Sequence, residues 1–283
     1  MLLLVDLDGV VYRGSEPVPG IAELLSRRAA AGDDIVYVTN NSMWYRADYV
    51  ERLASMGAPV SVDRVVSSPR ATALYLREVE PDLERVLALG AAGLGRELAD
   101  VGFTVVMAGE AADRVAREGI DRFEASGRPG AVVVGLDPDL SWERLAVAST
   151  SIRAGARFVA TNRDSIYPTE RGLMPGSGAV VAAVEAASGV RPVSIGKPGP
   201  LLLEEAARAV GARLGDAVMI GDGILTDLPA ARAVGARCVL MLTGVSSRLE
   251  AEALRGDEAP DAIAADATEL EVALAKLRAG GSA

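Results

Sequence analysis

Leu2-Leu3-Leu4-Val5-Asp6-Leu7-Asp8-Gly9 decides the fold. Four apolar residues without polar alternation read as a strand covered on both faces, the habit of parallel sheets. Asp-Leu-Asp-Gly stops that strand, with Gly9 able to supply a positive φ in a turn. Working outward, Ile21 to Ala31 carries helical spacing, and Ile35 to Val38 is the next strand, ended by Thr39-Asn40-Asn41. Arg46 to Met56 is helical again, and Val65-Val66 opens another strand. Val193 to Ile195, Ala217 to Ile220 and Arg237 to Leu242 repeat the pattern, each leaving a glycine or polar residue at its C-terminal end. Short apolar runs alternating with amphipathic stretches predict an α/β fold with a Rossmann-like, parallel-sheet core. Ligands bind outside the carboxyl ends of such strands, so the polar residues collect on one edge.

The middle of the chain repeats the architecture without the same chemistry. Val86 to Leu89, Thr104 to Met107, Ala131 to Val134 and Arg157 to Ala160 are strands, and Trp142 to Arg153 is a helix. This predicts an α/β cap domain at 82–172 inserted into a core made of 1–81 and 173–283, with linkers at Pro81 and Gly172 to Gly178.

Composition narrows the chemistry. The chain has 283 residues, half of them hydrophobic, and a net charge of −10, with 4% aromatics. An acidic, aromatic-poor chain has little to offer a phosphate backbone or stacked bases, so nucleic acid is not expected as a partner. No apolar run reaches the length of a bilayer, so no membrane is expected either. A single cysteine, Cys238, fits a reducing cytoplasm and reads as a buried thiol. The absence of histidine removes Ser-His-Asp hydrolases, phosphohistidine enzymes and His-ligated zinc. Catalysis therefore falls to carboxylates, hydroxyls, lysine or a hard metal.

Four short motifs could carry it. Asp6 and Asp8 stand two apart at a strand end, where they repel unless a cation lies between them. Asp6 can act as a nucleophile that forms an acyl phosphate, and Asp8 can exchange a proton with the leaving oxygen. Asp222, in Ile220-Gly221-Asp222-Gly223, and Asp227 add two carboxylates at a second strand end. Mg²⁺ suits such a set, because it takes one or two carboxylates and leaves sites for water and phosphate oxygens. Thr39-Asn40 and Lys197 supply a hydroxyl, a backbone N–H and an ammonium for a phosphoryl group. Each motif alone also reads as a turn, a helix cap or a surface lysine.

In this order the motifs resemble those of the haloacid dehalogenase superfamily, and more narrowly its capped NagD-like, 4-nitrophenyl phosphatase-like and pyridoxal phosphatase-like phosphatases. Asp6 to Val10, Thr39 to Ser42, Ala160 to Asp164 and Gly196 to Pro200 all look like segments of that group. The resemblance implies an Mg²⁺-dependent phosphatase of small phosphorylated metabolites that works through an aspartyl-phosphate. It implies Asp6 as nucleophile and Asp8 as general acid and base. Asp6, the backbone carbonyl of Asp8 and Asp222 would hold the metal, with Asp227 orienting its water shell. Thr39, Asn40 and Lys197 would bind phosphate. Relatives often pair through the cap, which points to a homodimer. One departure is Gly223, where relatives often carry a larger polar residue.

Other readings stay open at this point: a phosphotransferase or mutase passing the group to a second alcohol, or an idle metal-binding regulatory homologue. Thr161-Asn162 echoes Thr39-Asn40 without a matching Asp-x-Asp strand. Asp164 beside it either faces the substrate and sets specificity or forms an Asx turn. Trp44 and Tyr45 either line the mouth of the site or pack against the cap. Gly90 to Gly95 reads as a strand-to-helix turn, since its spacing is not that of a dinucleotide loop.

Overall fold

A computed structural model describes residues 1–120, 128–169 and 172–280. They pack as two compact units. The first comprises Met1–Thr39, Ala47–Val66 and Lys197–Ala283, and the second Asn40–Arg46 and Ser67–Gly196.

The first unit is built on a six-stranded sheet in the order Ala262–Ala264, Arg237–Met241, Val218–Gly221, Leu2–Asp6, Asp34–Thr39 and Val65–Ser67. Leu2–Asp6 lies centrally and pairs in parallel with both neighbours. All five of its residues are buried, which explains the unbroken apolar run. In helix Ile21–Ala30 the buried residues Ile21, Leu24 and Leu25 fall on one stripe at spacings of three and four. They join Leu3, Val5, Tyr37 and Val239 in the core beneath the sheet. Each such side chain taken fully out of water contributes roughly 1.5–3 kcal/mol.

Register fixes the polar edge. Asp6 stands opposite Val38 and Val5 opposite Ile220, so Thr39, the last residue of its strand, and Asp222, just beyond its own, lie at the same end as Asp6. Gly221 pairs with Leu240, which brings the loop after Arg237–Met241 to that end as well.

The second unit carries a five-stranded parallel sheet in the order Val193–Ser194, Arg157–Ala160, Ala131–Val134, Arg85–Leu89 and Thr104–Met107. Leu87, Leu89, Val132 and Val134 pack there with Val147 and Ile152 of helix Trp142–Arg153 and with Val180, Val181 and Val184 of helix Ser177–Ser188.

Several details depart from the sequence reading. The second unit takes in more chain than 82–172, and Pro81 and Gly172 to Gly178 lie inside it rather than at its borders. Gly172–Pro175 is a strand paired antiparallel with Ile166–Thr169, and Ser177 begins a helix directly afterwards. Val193 does not belong to the first sheet. It pairs with Val159 as an edge strand of the second, where one open side leaves Val193 exposed. Strand Ala262–Ala264 carries too little apolar sequence to stand out, and its place follows from pairing with Val239, Leu240 and Met241. Among the described residues no helix is long and apolar enough to cross a membrane.

Candidate active site

At the polar edge of the first unit the three carboxylates of Asp6, Asp222 and Asp227 offer oxygens all within 4.8 Å of one another, and all three residues are buried. Like charges so close and so dry repel strongly. Lost hydration raises the Asp6 carboxyl well above its usual range; Lys197 opposes this, while Asp227 and Asp222 add to it. Burial likewise raises Asp222 to about 6, with Asp227 adding to the effect and the Val245 N–H and Lys197 opposing it.

Lys197 is the counter-charge. Only 3% exposed, it places Nζ 2.8 Å from Asp6 Oδ1 and 2.6 Å from Asp227 Oδ1. Burial alone would lower its pKa, but Asp227 and Asp6 hold it above the ordinary lysine value. The ammonium is therefore fixed in its charged form.

Asp227 has both oxygens engaged. Oδ1 accepts from Lys197, and Oδ2 accepts the backbone N–H groups of Asp222 at 3.1 Å and Gly223 at 2.8 Å. It stands at the first position of helix Asp227–Ala233, where a carboxylate suits the helix dipole. It thus ties the Gly221–Gly223 turn to the lysine.

Asp222 is held from the other side. Its Oδ2 accepts the Val245 N–H at 2.7 Å, and its backbone carbonyl accepts the Ser246 hydroxyl at 2.5 Å. Thr243 donates to the Gly9 carbonyl at 2.5 Å. These residues of the loop Leu242 to Ser246 escaped the sequence reading. The available signal was Gly244 just past an apolar strand, and it has a steric cause: a Cβ there would collide with the Asp222 carboxylate.

Asp8 differs from Asp6. It is exposed, yet the atoms crowded around its carboxyl raise its pKa through lost hydration, against the pull of Arg52 and then Lys197. Arg52, also missed from sequence, stacks 3.6 Å over the Tyr12 ring and donates to the Gly14 carbonyl. Gly9 closes the turn with φ +84° and donates its N–H to the Tyr12 carbonyl at 2.7 Å. A side chain there would meet both a strained backbone and the Asp222 carboxylate.

Gly223 also has a steric explanation. The place of its missing Cβ is filled by the Thr226 hydroxyl, so this chain has no room for a larger residue in the present arrangement.

Thr39 is buried at the end of strand Asp34–Thr39, in the first unit with Asp6, Asp8, Lys197, Asp222 and Asp227. Asn40 and Asp164 both belong to the second unit, where Asn40 Nδ2 lies 3.1 Å from each Asp164 carboxylate oxygen. Tyr45 packs within the same unit and donates to Asp100 at 2.6 Å. Cys238 is a buried free thiol whose pKa burial pushes up.

The haloacid dehalogenase-like hydrolase family model matches residues 3–104, and a second haloacid dehalogenase hydrolase-like model matches 194–270. Over 245 residues the chain is 34% identical to the 5′-nucleotidase YutF of Bacillus subtilis, covering 87% of this chain and 88% of that protein. The chain belongs to the haloacid dehalogenase-like hydrolases, as a NagD-like phosphatase. The structure of NagD from Escherichia coli superposes with a TM-score of 0.80 at 30% identity, covering 94% of this chain and 96% of that one. A glycerol phosphate phosphatase of Mycobacterium tuberculosis, solved in complex with magnesium, gives a TM-score of 0.81 at 35% identity, covering 95% of this chain and 75% of that one. The same protein has been solved in complex with calcium. As a member of this group, the chain is a phosphoric monoester hydrolase.

Proposed function

We propose that this phosphatase hydrolyses small phosphomonoesters through a phosphoryl group carried on Asp6. The observation that carries the reading is the buried cluster itself: Asp6, Asp222 and Asp227 within 4.8 Å, with Lys197 bridging Asp6 and Asp227. One ammonium leaves an excess of buried negative charge, and a phosphate ester would add more. The donor set fits Mg²⁺, a hard cation that prefers carboxylate oxygens and retains room for phosphate.

Asp6, the backbone carbonyl of Asp8 and Asp222 are the residues assigned to hold the ion. Asp227 is assigned outside the direct ligands, because both its oxygens already serve Lys197 and the turn amides. When bound, Mg²⁺ would offset the charge of the carboxylates and of the phosphoryl oxygens.

The protein's own groups then divide the work. An Asp6 oxygen forms a bond to phosphorus as the ester P–O bond breaks. Asp8 gives a proton to the departing alcohol oxygen; its exposed position and raised pKa both suit a donor that must reach substrate and be protonated in time. Asp8, now a carboxylate, takes a proton from the water that attacks phosphorus, which releases inorganic phosphate and restores Asp6. Lys197, kept charged by its two partners, and the Thr39 hydroxyl with the backbone around Asn40 bind the equatorial oxygens.

The substrate class is a small alcohol phosphate. Relatives are named for 5′-nucleotides and glycerol phosphate. The lone buried cysteine suits a reducing cytoplasm.

The test is turnover of glycerol phosphate with Mg²⁺ by the wild type and Asp6→Asn. The variant keeps the shape of Asp6 and removes its nucleophilic charge, so kcat is expected to fall by at least about 10³-fold with the thermal midpoint retained. Near-normal turnover in Asp6→Asn would overturn the reading.

A further inference from the structure

The second Thr-Asn pair has no part in the chemistry above, yet its neighbourhood converges on one residue. Asn162, 2% exposed, donates from Nδ2 to the Asn40 backbone carbonyl at 2.6 Å, and the Ser68 hydroxyl donates to the same oxygen at 2.6 Å. Asn162 Oδ1 accepts the Asp164 N–H at 3.1 Å. That turn brings both Asp164 oxygens to 3.1 Å from Asn40 Nδ2. Gly196 lies on the other side of the carboxamide. A Cβ there would stand 2.5 Å from Asn40 Oδ1 and 2.8 Å from the Thr161 carbonyl, to which the Gly196 N–H donates at 2.7 Å.

Both ends of Asn40 are therefore held. A trans peptide is planar, so pinning its carbonyl also sets the direction of the N–H that follows, that of Asn41. Ordering a loop residue opposes backbone entropy, and a loop ordered beforehand binds an anion without that cost at the moment of binding.

We infer that Asn162 and Asp164 are positioning residues, which act through Asn40 to hold the phosphate-binding loop in its working conformation. The inference rests on the phosphate-binding role proposed for Asn40. It gives Asp164 an effect on every substrate alike, whereas a specificity residue would act on one.

The experiment is a double-mutant cycle on the full chain with Mg²⁺. Its readouts are inhibition by inorganic phosphate and kcat/KM for glycerol phosphate and an aryl phosphate. Asp164→Ala is expected to weaken inorganic phosphate and lower both kcat/KM values by the same factor, about 10-fold for one lost hydrogen bond to a charged group. Asp164→Asn retains an acceptor for the Asn40 amide and should recover most of this loss. Added to Asn40→Ala, Asp164→Ala should change little, because the group it acts through is gone. Gly196→Ala pushes Asn40 from the opposite side and should give the same uniform loss, which keeps the test available should Asp164→Ala fail to fold.

Losses of Asn40→Ala and Asp164→Ala that add, a loss confined to glycerol phosphate, or a lowered thermal midpoint with unchanged phosphate inhibition would each overturn the inference. If Asn40→Ala itself leaves phosphate inhibition unchanged, the phosphate role of Asn40 fails, and the inference with it.

Discussion

Lys197 sets the charge balance at the scale of single residues. It reaches Asp6 and Asp227 at 2.8 and 2.6 Å while almost fully buried, so removing it strands two carboxylates in a dry site. Lys197→Ala is therefore expected to lower kcat/KM by about 10²- to 10³-fold, the usual scale for one electrostatic stabiliser. The loss should be equal for an aryl phosphate and for glycerol phosphate, since both present the same phosphoryl group. A loss restricted to one ester would contradict the assignment. Asp8 sits differently, exposed and close to Arg52, a contrast in keeping with the roles proposed above, proton transfer for Asp8 and attack for Asp6.

At the scale of elements, the turn Gly221 to Asp227 is fixed by close packing as much as by hydrogen bonds. Gly223→Ala would drive a methyl group into the Thr226 hydroxyl, and overpacking of this kind costs typically 1–3 kcal/mol. A fall in thermal midpoint and in Mg²⁺-dependent turnover is expected, and Thr226→Ala in the same chain should restore both. A silent Gly223→Ala would show that the turn relaxes freely. This packing was not legible in the sequence, where Gly223 read only as a departure from relatives. Thr226 fills the space, and no local pattern announces that. The strands were far more legible. Thr104–Met107, Ala131–Val134 and Arg157–Ala160 run over the expected residues, because each is a short run between clear turn signals. Edge strands were harder to read. Val193–Ser194 gains its sheet from pairing with Val159 and Ala160, a long-range fact without a local signature. The Leu242 to Ser246 loop was invisible for the same reason, since its hold on Asp222 and Gly9 comes from strands far apart in sequence.

For the whole molecule, the proposed metal site predicts a stability that depends on the ion. Three buried carboxylates with one ammonium oppose folding of the first unit, and a cation that binds only the folded state stabilises it by mass action. At 100 times its dissociation constant, Mg²⁺ should add about 2.7 kcal/mol, read as a rise in thermal midpoint that a chelator reverses. Asp222→Asn removes one assigned ligand and should shrink that rise, while relieving some of the repulsion in the metal-free chain. An equal Mg²⁺ response in wild type and variant would place the ion elsewhere. Part of this arrangement was legible in the sequence: a parallel sheet puts every strand's C-terminal end on one edge, so Asp6 and Asp222 follow strands that end together, and a loop opening a helix could carry Asp227 to the same edge.

The most direct test of the central claim is chemical trapping of the phosphoryl group on Asp6. Borohydride reduces an acyl phosphate of aspartate to homoserine, which peptide mass spectrometry locates in the chain. Enzyme quenched into borohydride during Mg²⁺-dependent turnover of an aryl phosphate should carry homoserine at position 6. Enzyme without substrate, or Asp6→Asn with substrate, should carry none. Homoserine at another position, or none at position 6 in enzyme trapped while turning over, would contradict covalent catalysis by Asp6.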